Sequence, residues 1–238
     1  MLGLLIEEMK KISVDQTLNA TLHAVRNLAL HHRLQVMNEL LAVPVPHPPQ
    51  VVKSFQVIAK DSTLVMDLVN HLLQLLNYGL LYDEKGQGKD KKHTARPLVL
   101  SATAALGEVM QTDEMAGVVE EHYALIFGSL LLRVGTSQGQ PDALKVIIEA
   151  FKSFLECAKE EALQEAVKAK DAWSRLDGAK YTDVITEIAA IVGREHPEHV
   201  APLYRFLLPF MKGNYPGHRI VAACTLAEVP PDLNTTAQ

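Results

Sequence analysis

The chain has 238 residues, 48% of them hydrophobic, which is enough to bury a sizeable core and excludes a polypeptide that is disordered throughout. Its formal charge of −5 and isoelectric point near 6.1 exclude broad attraction to nucleic acid or to an anionic membrane surface, leaving only local patches. The two cysteines, Cys157 and Cys224, lie far apart with no CxxC spacing, which points to reduced thiols and away from a disulfide scaffold.

Residues 2–12 open the chain with Leu2, Leu5, Ile6 and Met9 at helical spacing. No basic flank precedes them and Glu7 and Glu8 cut the run short, so they read as half of a helical hairpin and not as a signal peptide. Asp15 caps a helix marked by Leu18, Leu22, Val25, Leu28 and Ala29. His31 and His32 fall at a tight corner before a partner helix through Leu34, Val36, Met37, Leu40 and Leu41. Pro44, Pro46, Pro48 and Pro49 then forbid helix and separate this hairpin from the next.

Residues 51–59 and 64–81 form the next pair around Lys60, Asp61 and Ser62. Val65, Leu68, Val69, Leu72, Leu73, Leu75 and Leu76 are so dense that this second helix needs cover on more than one side. In residues 82–94 the pattern disappears, which predicts a mobile surface loop.

Residues 96–135 organise the chain. Pro97 suits a first helical turn, and Leu98, Leu100, Ala104, Ala105, Val109 and Met110 line one face behind it. Thr112 and Asp113 offer a cap for a second helix. That helix carries Met115, Val118, Val119, Tyr123, Ile126, Phe127, Leu130, Leu131 and Val134, and Gly135 stops it.

Pro141 opens another helix, with Leu144, Ile147, Ile148, Phe151, Phe154 and Leu155 inward; residues 160–176 continue it as a more polar, peripheral helix. Residues 182–192 and 197–211 make one more hairpin. A last helix begins after Tyr215, Pro216 and Gly217 and is expected to lack a partner, because Pro230 and Pro231 halt it.

No such helix pair can bury its apolar faces alone, and helix starts near Thr17, Pro48, Arg96, Pro141, Tyr181 and Pro216, whose inexact period wanders around the roughly 40 to 47 residues of HEAT or armadillo units, fit a stacked array. The expected fold is all-α: a right-handed α-α superhelix, a HEAT/armadillo-like solenoid, of about five hairpins. One domain should cover residues 1–229, with a polar tail at 230–238, and both ends read as hairpin halves cut from a longer array. No stretch reaches the roughly 18 to 20 consecutive apolar residues of a spanning helix, so a soluble, cytosolic chain is expected.

Three strings add to this reading: Leu130-Leu131-Leu132-Arg133-Val134-Gly135-Thr136, the Pro44-Val45-Pro46 break followed by a Lys60-Asp61 corner, and His218-Arg219-Ile220-Val221-Ala222-Ala223. Together they resemble the maestro heat-like repeat family over most of the chain. The resemblance implies an α-solenoid without enzymatic activity, forming an internal portion or short isoform of a longer protein. It also implies a peripheral lysosomal-membrane factor that self-associates, engages a Rab-type small GTPase and helps membranes divide.

The residues themselves suggest no catalytic set, cofactor or metal. Glu195, His196, Pro197, Glu198 and His199 bring two imidazoles and two carboxylates together, but the histidines stand three apart around a proline, and an exposed turn is expected in place of a metal site. Ser101, Ser129, Ser137 and Ser153 have no histidine and acid near them in sequence and no G-x-S-x-G around them. Arg133, Arg194 and Arg219 should cap helix ends or pair across repeats.

The expected role is a noncatalytic scaffold whose second helices face a protein partner. Its contact candidates are the polar residues amid apolar neighbours: Asn38, Glu39, Asn70, Gln74, Glu120, Glu121, His122, Arg205 and Lys212. Lys85, Lys89, Lys91, Lys92 and Arg96 form the basic cluster that could meet anionic lipid. Direct lipid binding through them, or service as a pure spacer, is the alternative role.

Overall fold

The computed structural model describes residues 2–9, 11, 15–85, 92–169 and 171–229. It is helical throughout except for one two-stranded hairpin. The elements are α1 (Leu2–Met9), α2 (Asp15–Leu41), α3 (Pro49–Ala59), α4 (Val65–Asn77), β1 (Tyr82–Lys85), β2 (Lys92–Ala95), α5 (Pro97–Val109), α6 (Met115–Glu121) and α7 (Tyr123–Thr136). They continue with α8 (Pro141–Cys157), α9 (Glu161–Ala169), α10 (Ala172–Arg175), α11 (Tyr181–Glu195), α12 (Pro197–Leu207), a 3-10 turn (Leu208–Lys212) and α13 (Pro216–Glu228).

Proline sets the phase of this array. α3, α5, α8, α12 and α13 each carry one in the first turn, where a missing N–H costs no helical hydrogen bond. α2 contains the expected His31/His32 corner as a kink, with His32 at φ −134 and ψ 43. The first helices α3, α5 and α8 lie side by side, and the second helices α4, α7 and α12 form the adjoining row. Leu68, Leu72, Phe127, Leu130, Phe151 and Phe154 are among the side chains sealed between the rows. The architecture is the expected α-α superhelix of HEAT-like hairpins.

At the corner between α3 and α4, Asp61 accepts from the Thr63 hydroxyl, the Thr63 N–H and Arg26 of α2. These bonds, the two from Thr63 foremost, hold its carboxyl down to about 2. A single acidic side chain thus fastens two hairpins.

Several expectations change. Residues 82–94 are not a loop throughout: Tyr82 pairs with Ala95, Asp83 with Thr94, Glu84 with His93 and Lys85 with Lys92 in an antiparallel hairpin. Of the side chains described on these strands, Tyr82 and Ala95 are buried at the base, Asp83 and Glu84 are exposed, and residues 86–91 lie outside the described residues. The helix expected over 64–81 ends at Asn77, and Gly79 turns the chain at φ +88. Thr112 does not cap the second helix of the central pair; its hydroxyl donates to the Val109 carbonyl and closes α5 instead. That second helix is broken at His122 into α6 and α7, which bend by 83°.

The segment expected as one helix over 160–176 is two, separated by Asp171 at φ +46. Leu98, expected inward, is exposed at the start of α5. The last helix has neighbours after all: α13 lies against α7 and α11, which is why Val221, Ala222 and Thr225 are buried. Among the described residues no single helix is long and apolar enough to cross a membrane. The bent α6–α7 pair passes by length and composition, yet its α7 half is buried within the protein. The tail at 230–238 lies outside the described residues.

Candidate functional site

Three polar clusters are built into the helical stack. The first is sealed. α7 is buried along its length except at Leu125, and its Arg133 is 1% exposed. Arg133 Nη2 donates to His218 Nε2 of α13 at 2.7 Å, and its guanidinium stands 5.1 Å from the centre of the Tyr82 ring. Tyr82 Oη lies 2.7 Å from Thr136 Oγ1 and 3.0 Å from His218 Nε2, so β1, α7 and α13 meet in one network. Tyr215 covers it edge-on, 4.5 Å from Tyr82.

Among the described residues no carboxylate answers this buried cation, and Nε and Nη1 have no hydrogen-bond partner there. Burial pushes the Arg133 guanidinium down from its usual range. His218 is held down to about 2, by burial first and then by Arg133 and His93. His218 is therefore neutral and accepts. Arg133 does pair across repeats, as expected, but with a histidine.

The second cluster was invisible in the sequence. His47, from the Pro-rich connector, places Nε2 2.9 Å from Ser101 Oγ and Nδ1 2.9 Å from Glu108 Oε2. Serine, histidine and carboxylate stand in the order of a nucleophilic triad. Ser101, however, is 1% exposed in the middle of α5, so its backbone N–H belongs to the helix and its hydroxyl lies out of reach of a substrate. The trio ties the connector to α5. His47 and Glu108, but not Ser101, also line a groove of about 560 Å³ between α5 and α8, with Leu100, Ala104, Val146 and Ala150 as apolar lining and Asp142, Lys145 and Glu149 as further charged groups. Gly107 lets α5 approach closely here, since a Cβ on it would stand 2.8 Å from Ala150 Cα.

The third cluster is the corner between α11 and α12. His196 Nε2 lies 2.9 Å from Glu160 Oε2, His196 Nδ1 lies 3.3 Å from Glu198 Oε1, and His199 Nε2 stands 3.8 Å from that same oxygen. The Tyr123 ring stacks on His199 with centroids 4.1 Å apart and planes within 7°. Glu160 is 4% exposed; the Tyr123 hydroxyl stands beside its carboxylate, although neither that hydroxyl nor Oε1 makes a hydrogen bond of good geometry. Burial, then the charge of Glu160, drives the Tyr123 phenol far above its usual range, and burial lowers His199. An open cavity of about 350 Å³ faces these groups. The turn is therefore more than the exposed corner the sequence suggests.

Glu160 reaches this site by a helix ending. Its N–H donates to the Leu155 carbonyl and the Lys159 N–H to that of Glu156, while Lys159 takes φ +56, a conformation usually left to glycine. No local sequence signal announces this, because Lys159 occupies the glycine position.

Of the partner-facing candidates, Asn38, Asn70, Gln74, Glu120, Glu121, Arg205 and Lys212 are exposed, and Glu39 and His122 are partly buried. Asn38 Oδ1 lies 2.9 Å from His71 Nε2. These residues do not form one strip, because α7, the central second helix, is covered. In the basic cluster, Arg96 donates to Asp83 at 2.9 Å. Lys85 and Lys92 end the paired strands; Lys89 and Lys91 lie outside the described residues. Arg219 caps the Gly213 carbonyl at 2.8 Å and Arg194 pairs with Glu195.

Comparison with known proteins agrees with this architecture. The profile of the family described as "SGR6, HEAT repeats" matches residues 64–229. A relative named Maestro heat-like repeat-containing protein family member 1, from Dictyostelium discoideum, is 33% identical over 94% of this chain and 15% of its own length. Relatives of the same name are 22% identical over 95% of this chain and 15% of their own in Bos taurus, and 29% identical over 58% of this chain and 8% of their own in Homo sapiens. The chain thus spans at most about 15% of the length of these curated relatives. No solved structure matches it. The stacked helix pairs and the match over residues 64–229 agree: the chain belongs to the SGR6-type HEAT-repeat family, that of the maestro heat-like repeat proteins.

Proposed function

We propose that this chain is a noncatalytic segment of a repeat scaffold and that it receives an amphipathic helix of a protein partner in the groove between α5 and α8. The observation that carries this reading is the groove itself: about 560 Å³, open, apolar along Leu100, Ala104, Val146 and Ala150, and bordered by charges of both signs. An apolar strip with charged edges suits a helix whose anchors recur every three or four residues. HEAT repeats supply such surfaces by stacking.

For the whole protein, the family resemblance supports a peripheral lysosomal-membrane factor that self-associates, is recruited by a Rab-type small GTPase and acts in membrane fission. The exposed second-helix residues Asn70 and Gln74 of α4 and Arg205 of α12, on separate helices, are the rival contact points. Capture from a cytosolic and membrane extract, with and without a nonhydrolysable GTP analogue, tests both surfaces. A partner held by the wild type and lost on Val146→Arg, with the helical circular dichroism unchanged, supports the groove. A partner lost instead on a combined Asn70, Gln74 and Arg205 substitution overturns it in favour of the second helices. A GTP-dependent small GTPase among the captured proteins would support recruitment.

A further inference from the structure

The corner between α11 and α12 holds donor groups that scaffold packing does not require. His196, Glu198 and His199 each offer one ligand atom, and these atoms lie within 4.8 Å of one another. A tetrahedral zinc ion about 2.1 Å from each donor would set its ligands about 3.4 Å apart. The two measured edges are 3.3 Å from His196 Nδ1 to Glu198 Oε1 and 3.8 Å from that oxygen to His199 Nε2. Small side-chain rotations close the set.

Independent support comes from behind the ligands. Glu160, 4% exposed, lies with Oε2 2.9 Å from His196 Nε2; in the tautomer that donates there, Nδ1 carries the lone pair beside Glu198 Oε1. A buried carboxylate behind a histidine is the arrangement that fixes the ligating tautomer in metal sites. Its Oε1 is buried and makes no hydrogen bond of good geometry, although the Tyr123 hydroxyl stands beside the carboxylate, and Glu160 lines the same cavity as the three ligands. Two carboxylates, Glu160 and Glu198, meet at the one imidazole of His196, which leaves negative charge that a cation would neutralise. The stacked Tyr123 ring holds His199 in place.

We propose that His196 Nδ1, Glu198 Oε1 and His199 Nε2 bind a divalent zinc-class metal ion, with Glu160 orienting His196 and the cavity leaving a further position for water or for a partner's donor group. Two imidazoles and a carboxylate suit zinc and disfavour calcium or magnesium, which take oxygen ligands. The ion would fix the α11–α12 corner, which His196 already ties to Glu160 in the α8–α9 connection. This site is separate from the α5–α8 groove, so either can fail without the other.

The test is titration of the purified chain with Zn²⁺ against a chromophoric chelator, and with Co²⁺ to read its d–d absorption. The expected result is one saturable equivalent, with intense tetrahedral Co²⁺ bands. Glu198→Gln and His199→Asn should each weaken binding at least 100-fold, and Glu160→Gln should weaken it about 10- to 100-fold with the bands retained. Glu198 is exposed, so its variant keeps the fold should His199→Asn not. No saturable equivalent, or binding equal in wild type and Glu198→Gln, overturns the proposal. In that case the contacts are those of His196 bridging two carboxylates and nothing more.

Discussion

The Arg133 cluster and the His196–His199 corner are made of the same kinds of side chain, an aromatic ring, histidines and one buried ionisable group, yet they differ in access to water. At the first, Arg133, His218, Tyr82 and Thr136 are all nearly inaccessible, and the close crossing of α7 and α13 seals them. At the second, Glu160 is buried but Glu198 is exposed and a cavity opens beside them. A sealed polar cluster can only fasten helices, because nothing can enter to answer its unpaired atoms. An open one can take a ligand. The fold therefore spends one histidine-rich cluster on its own cohesion and leaves the other available.

The sealing depends on Gly135 and Gly217, where the backbones of α7 and α13 touch. A Cβ on Gly135 would stand 2.6 Å from the Gly217 carbonyl oxygen, and one on Gly217 would overlap Gly135. Backbone on both sides cannot yield as a side chain can. Gly217→Ala should therefore cost about 3 kcal/mol or more in urea unfolding. A cost below about 1 kcal/mol would mean that the crossing can open and that the cluster is not sealed.

Acid should strike the sealed cluster before the rest of the fold. His218 is kept neutral down to about 2, whereas the unfolded chain takes up that proton near 6.5. The unfolded state thus binds more protons below that value, so the stability due to a neutral His218 is complete above about pH 6.5 and lost as pH falls toward 2. Arg133, His93, Tyr82 and Tyr215 face the ring, and no carboxylate among them offsets the effect. Between pH 6.5 and 5 the wild type should lose about 2 kcal/mol that His218→Gln does not. Parallel pH profiles for the two proteins would show that His218 is open to water.

Arg133→Met is the sharper test of the same region. The guanidinium leaves two nitrogens unanswered, and an apolar side chain of similar length removes that burden. His218 Nε2 keeps Tyr82 Oη at 3.0 Å as a donor. Stability should change by no more than about 1 kcal/mol in either direction. The acid sensitivity should shrink, because Arg133 is one of the charges that keeps His218 neutral. A loss of several kcal/mol would show that the cation is satisfied by groups beyond His218 and Tyr82.

Much of the array was legible in the sequence because its punctuation is local. Pro97, Pro141, Pro197 and Pro216 each start a helix where a missing N–H is harmless, and dense leucine and valine runs mark the covered second helices. The polar clusters were not legible, because they join residues far apart in the chain. Ser101 meets His47 across 54 positions and Arg133 meets His218 across 85. The β-hairpin escaped because its strands are charged and bury little beyond Tyr82 and Ala95, so they lack alternating periodicity. At 196–199 the residue types were visible, but Glu160 stands 36 positions away and arrives by a helix ending that the sequence disguises with a lysine.

That lysine gives the smallest and most local test. Lys159 holds φ +56 at the position after α8 where glycine is favoured. A side chain in this region costs about 1 to 2 kcal/mol, while glycine loses more entropy on folding, about 0.5 to 1 kcal/mol. Lys159→Gly should therefore raise stability by about 0.5 kcal/mol, read from the urea midpoint at constant slope. The outcome bears on the open corner as well as on the backbone, because the same turn delivers Glu160 to His196. If Lys159→Gly stabilises the chain and leaves Zn²⁺ affinity unchanged, the turn only places the carboxylate. If it stabilises the chain and weakens the metal, the lysine's strained backbone is what holds Glu160 behind His196, and the strain is retained at a site kept open for a ligand.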